Sequence, residues 1–192
     1  RSCTRNTGIL RKKVSKDNKK VLAEHDVELE KMFYLDFAKQ KETIRVFQNR
    51  QKTNLVALRE GRLAEKENEI VLERRYAEEH QYTVGSQITL GKIKLRVTGI
   101  ATTPDYDAPL RKMSDTIVDS KNFGTAFVGK RAYIKLKQSH LATQSEEYLY
   151  AYRLKGTTTS DDVKDILNDF KVDATKYRIH SFRIIGIEPV VK

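Results

Sequence analysis

The 192-residue sequence contains one cysteine, no tryptophan, three prolines and nine glycines. A lone cysteine, Cys3, can build neither a disulfide framework nor a cysteine-ligated metal site. Its scarcity suits the cytosol and an exported domain alike. So few prolines and glycines leave room for regular structure to dominate. Long hydrophobic runs are missing as well. No apolar run of about seven residues follows the basic start, so no secretory leader is expected. None approaches the roughly eighteen apolar residues that a membrane-spanning helix needs. The first residue is Arg rather than Met, which points to a fragment or a processed chain.

What is present is a globular composition. The chain is 39% hydrophobic and 33% charged, with nine Tyr and seven Phe. That is too apolar and aromatic for a disordered chain. The formal net charge of +11 is unevenly spread. Arg1, Arg5, Arg11, Lys12, Lys13, Lys16, Lys19 and Lys20 face a single acid, Asp17, so residues 1–20 alone hold +7. A solvated helix face or a segment near an anionic surface explains such a local excess as well as a nucleic acid does.

Cys3 sits in an N-terminal stretch that reads as frayed. Ser15 is a candidate helix cap leading into Lys16–His25, with Val14, Val21, Leu22 and His25 sharing a face. Near-regular alternation follows, with Val27, Leu29, Phe33 and Leu35 on one side and Glu28, Glu30, Tyr34 and Asp36 on the other, interrupted at Lys31 and Met32. This pattern predicts a half-buried strand, and residues 42–47 predict a second. Residues 54–61 read as a short helix ended by Gly61. Residues 69–72 read as a strand running into a helix over 74–80. Two alternating runs, 87–90 and 93–97, flank Gly91–Lys92 and predict a type II′ hairpin. Residues 102–122 read as a long loop, and 126–128, 132–136 and 148–154 as strands. The spacing of Val163, Ile166, Leu167 and Phe170 predicts a helix over 161–170, and a last strand spans 177–187. The fold class is α+β.

Four groups of residues invite a chemical reading. The run Gly85–Lys92 has five residues between its glycines and Ile93 after the lysine. A phosphate loop needs four and a Ser or Thr, so the run is a hairpin. Lys121, Phe123, Gly124, Phe127 and Val128 echo an RNA-recognition signature, but Asn122 replaces a glycine and the aromatic spacing is wrong. His25, His80, His140 and His180 lie beyond helical or strand reach of one another, at no metal-ligand spacing. Asp105, Asp107, Asp115 and Asp119 lack the order of a calcium loop. There is no nucleophile elbow, and Cys3 has no nearby histidine. No residue is assigned to catalysis, to a cofactor or to a metal, and none to a partner.

The segments Glu42–Phe47, Leu58–Ala64 with its Gly61-Arg62, Asn68-Glu69-Ile70, Val84-Gly85-Ser86-Gln87-Ile88 and Val97-Thr98-Gly99-Ile100 occur in an order that resembles the extracytoplasmic domains of MacB/FtsX-family ABC transporter permeases. The run Asp119–Val128 followed by Tyr133 is also similar, particularly to Gram-positive members. Ala64 stands where the family usually has Pro, and Ser86 where it usually has Asp. The resemblance implies a two-lobed mixed α/β domain inserted between two transmembrane helices. Residues 1–54 and 141–192 are expected to form a porter-like lobe, and 55–140 an inserted β-rich lobe. It further implies a non-catalytic domain on the extracytoplasmic side of the cell membrane, without cofactor, transmitting ATP-driven motion to export or to an outside partner. The implied partners are a cytoplasmic ATP-binding subunit, reached through the transmembrane part, and an extracellular peptide, lipoprotein or cell-wall component; no specific nucleic acid is expected. The alternative is a basic nucleic-acid or polyanion-binding protein, which needs its cations gathered on one face. A third reading, a hydrolase assembled from distant residues, needs a deep pocket with convergent acids or a histidine.

Overall fold

The computed structural model describes residues 7–10, 14–52, 55–102, 120–156 and 162. The chain divides into two units, one from Arg1–Lys31 and Tyr148–Lys192, the other from Met32–Glu147.

In the first unit, Ser15 caps α1 (Lys16–Glu24) as expected, its hydroxyl accepting the Asn18 N–H at 3.1 Å. Such a cap satisfies one of the donors that a helix start leaves orphaned. Val14 and Leu22 are buried, whereas His25 is an exposed C-cap. This unit also holds β1 (Thr7–Leu10), a strand that no sequence pattern announces. β1 and β2 (Val27–Lys31) flank β10 (Tyr150–Leu154) in an antiparallel three-stranded sheet of order β1-β10-β2.

The expected single strand over 27–36 is two strands, and its interruption at Lys31 and Met32 is where the chain passes from one unit to the other. The second piece, β3 (Tyr34–Lys39), joins β4 (Glu42–Gln48) in a hairpin. Tyr34 and Asp36, placed by alternation on a polar side, are both buried. Asp36 tolerates this because Arg45, directly across the ladder, takes its carboxylate in two bonds of 2.9 and 3.0 Å. β4 then pairs in parallel with β9 (Phe123–Val128). Residues 32–48 are thereby hydrogen-bonded into the sheet of the chain's middle, which places them in the second unit rather than with the terminal segments.

That sheet has the order β3-β4-β9-β6-β8-β5, with β7 also on β8; β5 is Ala57–Gly61, β6 Glu69–Glu73, β7 Gln87–Leu90 and β8 Ile93–Thr102. The helix read over 54–61 is thus an edge strand, all five of its residues exposed. Gly61 does end the element in a left-handed conformation, φ +69°, but it ends a strand. The hairpin at Gly91–Lys92 forms as expected, with Gly91 at φ +60° and Lys92 absent from positive φ, the pattern of a II′ turn. α2 (Arg74–Glu79) follows β6 directly, as expected. Residues 132–136 lie in α3 (Lys130–Gln138), not in a strand. Ala132, Tyr133 and Leu136 are its buried face, while Ile134, which completed the apparent alternation, is exposed. The core lies under α2 and α3 and includes Phe37, Ile44, Ile70, Leu72, Leu95 and Leu136. The loop read over 102–122 lies outside the described residues except at its ends, as do the helix over 161–170 except Asp162 and the strand over 177–187.

Candidate functional site

Among the described residues, a cleft of about 270 Å³ opens where β5 ends and the chain enters β7, on one side of β8. Arg62 leaves β5 with its N–H donating to the Thr98 carbonyl at 2.9 Å. Its guanidinium then grips Glu69, at the start of β6, through two bonds of 2.6 and 2.9 Å. The backbone N–H groups of Glu65 and Lys66 also donate to that carboxylate, each at 3.0 Å. Arg62, over the burial cost, and then the two N–H donors hold the Glu69 carboxyl down at about 2. This ion pair joins Gly61-Arg62 to Asn68-Glu69, two of the segments on which the sequence resemblance rests. It ties the two ends of the 62–69 loop. Ser86, in the place of the usual Asp, accepts the Thr83 N–H at 3.0 Å and so still closes the turn before β7.

The depressed Glu69 carboxyl makes stability depend on acid. An acid whose folded value lies below its unfolded one contributes fully above the unfolded value, near 4.5, and loses that contribution as pH falls toward the folded value. Thermal midpoints are therefore expected to fall between about pH 4.5 and 2. Glu69→Gln should be less stable than the parent at pH 7 and show a shallower decline over that window. An unchanged slope would remove Glu69 as its source.

A second polar group, assembled from elements far apart in sequence, sits at the base of α2. Tyr76 is buried and its hydroxyl donates to Glu42 of β4. Lys39 Nζ reaches the same carboxylate at 3.0 Å, and His80 Nδ1 lies 3.7 Å from it. His80 Nε2 donates to the Lys121 carbonyl at 3.1 Å, and its ring lies 4.3 Å from that of Tyr76. Burial, and then the Glu42 carboxylate, push the Tyr76 phenol far above its ordinary value. Burial alone would raise Glu42, but donation by Tyr76 and Lys39 outweighs it and holds the carboxyl below the usual range. Burial alone would lower the Lys39 ammonium, but Glu42 and Tyr82 together outweigh it and raise it. General acid–base chemistry needs groups poised near the working pH. The shifts here run away from neutrality, so Glu42, Lys39 and Tyr76 stay in their ordinary charge states. Sequence reasoning missed this network, since Glu42 and Tyr76 lie 34 residues apart and share no motif.

Phe123 and Phe127 are buried, so no base could stack on them. His25 and His80 cap helices, and His140 follows α3. His180, Cys3 and the acids of 105–119 lie outside the described residues. No group of three or more His, Cys, Asp or Glu able to hold a metal occurs among the described residues. No helix there is long and apolar enough to cross a membrane.

No family model matches the sequence, and no curated protein does. Solved structures do match. The periplasmic region of MacB from Actinobacillus actinomycetemcomitans aligns with 85% of this chain and 81% of its own, at 11% identity and a TM-score of 0.50. The extracellular domain of the noncanonic ABC-type transporter YknZ from Gram-positive bacteria covers 84% and 88% at 12% identity, TM-score 0.42. A domain of a putative permease protein from Porphyromonas gingivalis covers 81% and 76% at 9% identity, TM-score 0.47. The chain has the mixed α/β fold of the MacB periplasmic region.

Proposed function

We propose that this chain is the extracytoplasmic domain of an ABC transporter permease, and that it works by transmitting ATP-driven motion rather than by catalysis. The observation that carries the reading is the fold shared with the MacB periplasmic region over 85% of the chain. The ordered segments between Glu42 and Tyr133 support it independently. Coupling of this kind needs states with different contacts, not a reactive group. The terminal segments, forming a porter-like lobe, would feel movement of the flanking membrane helices, and the lobe drawn from the middle of the chain would present it to a substrate or partner outside. ATP would be hydrolysed by a separate cytoplasmic subunit.

The test is made in the intact permease. Replacing residues 21–187 by a flexible linker should abolish transport or signalling while the ATP-binding subunit still binds nucleotide. Full transport by the deleted form would remove the domain from the mechanism. ATP hydrolysis by the purified 192-residue chain would overturn the non-catalytic assignment.

A further inference from the structure

From Gln81 to Thr103 the sequence contains no acidic residue but three cations, Lys92, Lys94 and Arg96. The hairpin puts Ile88, Leu90, Leu95 and Val97 into the core, so Lys94 and Arg96 share the opposite, solvent face with Gln87 and Thr89. Arg96 stands directly across from Gln87, and Lys94 from Thr89. Lys92 extends the row into the turn. Successive members on a strand face are about 6.8 Å apart. None of the three has an acidic partner among the described residues. Glu69, the cross-strand neighbour of Arg96, has its carboxylate occupied by Arg62 and two backbone N–H groups. At its Arg96 end the row opens into the cleft, where Val84 is 44% exposed beside Arg96.

We propose that the solvent face of the β7–β8 hairpin binds an extended acidic peptide segment, with its carboxylates on Lys92, Lys94 and Arg96 and an apolar side chain in the cleft against Val84. An extended peptide bearing acids at alternate positions repeats its charges at the spacing of this row. Arg96 offers a planar fork suited to a carboxylate. The apolar wall favours a peptide over a phosphodiester polymer, which has nothing to place against Val84. The surface belongs to the hairpin itself and does not depend on the transporter reading.

The experiment uses the full 192-residue chain and a short labelled peptide with alternating Glu and Thr and a Leu at one end, followed by fluorescence anisotropy in about 150 mM salt, where long-range attraction is largely screened. The triple variant K92Q/K94Q/R96Q should bind at least about tenfold more weakly, the sum of three modest exposed ion pairs. K12Q/K13Q/K16Q, which removes equal charge from the basic start, should change affinity less than about twofold. Replacing the peptide's Leu by Ser should weaken binding to the parent chain. Circular dichroism of the variants checks that the solvent-face changes leave the fold intact. Equal loss in both triple variants would reduce the effect to bulk charge and overturn the proposal. So would the absence of binding by the parent chain, or tighter binding of a DNA oligomer or polyphosphate of matched charge.

Discussion

Asp36→Ala is expected to destabilise the second unit by about 3–5 kcal/mol, because it removes the carboxylate that holds a buried guanidinium in two bonds. Arg45 is 9% exposed and Asp36 6%. The guanidinium lies over the rings of Tyr34 and Phe123, 4.0 and 5.0 Å from their centroids. Asp36 also accepts from the Gln144 side chain at 3.1 Å, and its backbone carbonyl accepts the Thr143 N–H at 2.7 Å. These contacts bind the 143–147 segment to the outer edge of β3, where Tyr34 and Glu147 exchange backbone bonds. The loss should therefore also expose that edge. The control is Asp36→Ala combined with Arg45→Met. Removing both charges and keeping an apolar body between the two rings should recover more than half of the loss. Urea midpoints of the three variants measure this. A double variant as unstable as Asp36→Ala would show that the pair's charges are not the source.

Gly61→Ala should cost about 3 kcal/mol, of which the left-handed backbone accounts for roughly 1. The larger part is steric. An added Cβ would fall well inside contact distance of the Thr98 carbonyl oxygen and 3.0 Å from the Gly99 Cα. Both are backbone atoms of β8 and cannot turn aside. Gly61 faces Gly99 across the ladder, so the two strands meet here with no side chain between them. Displacing Gly61 also pulls at the Arg62–Thr98 bond and hence at the Arg62–Glu69 pair. Gly85→Ala separates the two effects, since Gly85 has φ +99° but no atom within 4 Å of the added carbon. It should cost only about 1–2 kcal/mol. Equal losses in denaturant titrations would assign the whole effect at Gly61 to backbone conformation.

Much of the second unit was legible where local chemistry and burial agree. Gly91 announces its turn because a II′ hairpin needs positive φ at that position, and the flanking alternation survives as the buried and exposed faces of β7 and β8. In the first unit Ser15 announces its helix by side-chain capping, whereas Glu73 caps α2 from within a strand, accepting the Tyr76 N–H at 3.2 Å, and was not read as a cap. The misreadings have physical causes. β5 buries none of its residues, so it carries no period-two pattern, and its strand state comes from pairing with β8 some forty residues later. In α3 the order Ala132, Ile134, Leu136 imitates alternation, and only the burial of Tyr133 shows that the inward stripe is helical. Asp36 and Arg45 each look like surface residues until the β3–β4 register brings them together. The Glu42–Tyr76–His80 network was illegible for the same reason, since three elements had to be placed before its members met. The hairpin cations were visible as residues, but that they have no acidic partner among the described residues is a property of the folded surface.

The parallel pairing of β4 with β9 has a consequence for how the chain is made. Thr43 and Phe123 are ladder partners separated by eighty residues, and Thr7 and Arg153 of the first sheet lie still farther apart. A chain emerging in order completes the β3–β4 hairpin early, yet the inner edge of β4 has no partner until β9 arrives. Closing so long a loop is paid for in entropy before any ladder bond rewards it. The second unit can finish once Glu147 has emerged, but the first must hold its opening strand in reserve until β10 is delivered. Among the described elements, assembly thus runs from the middle outward, and the β1-β10-β2 sheet is the last to close.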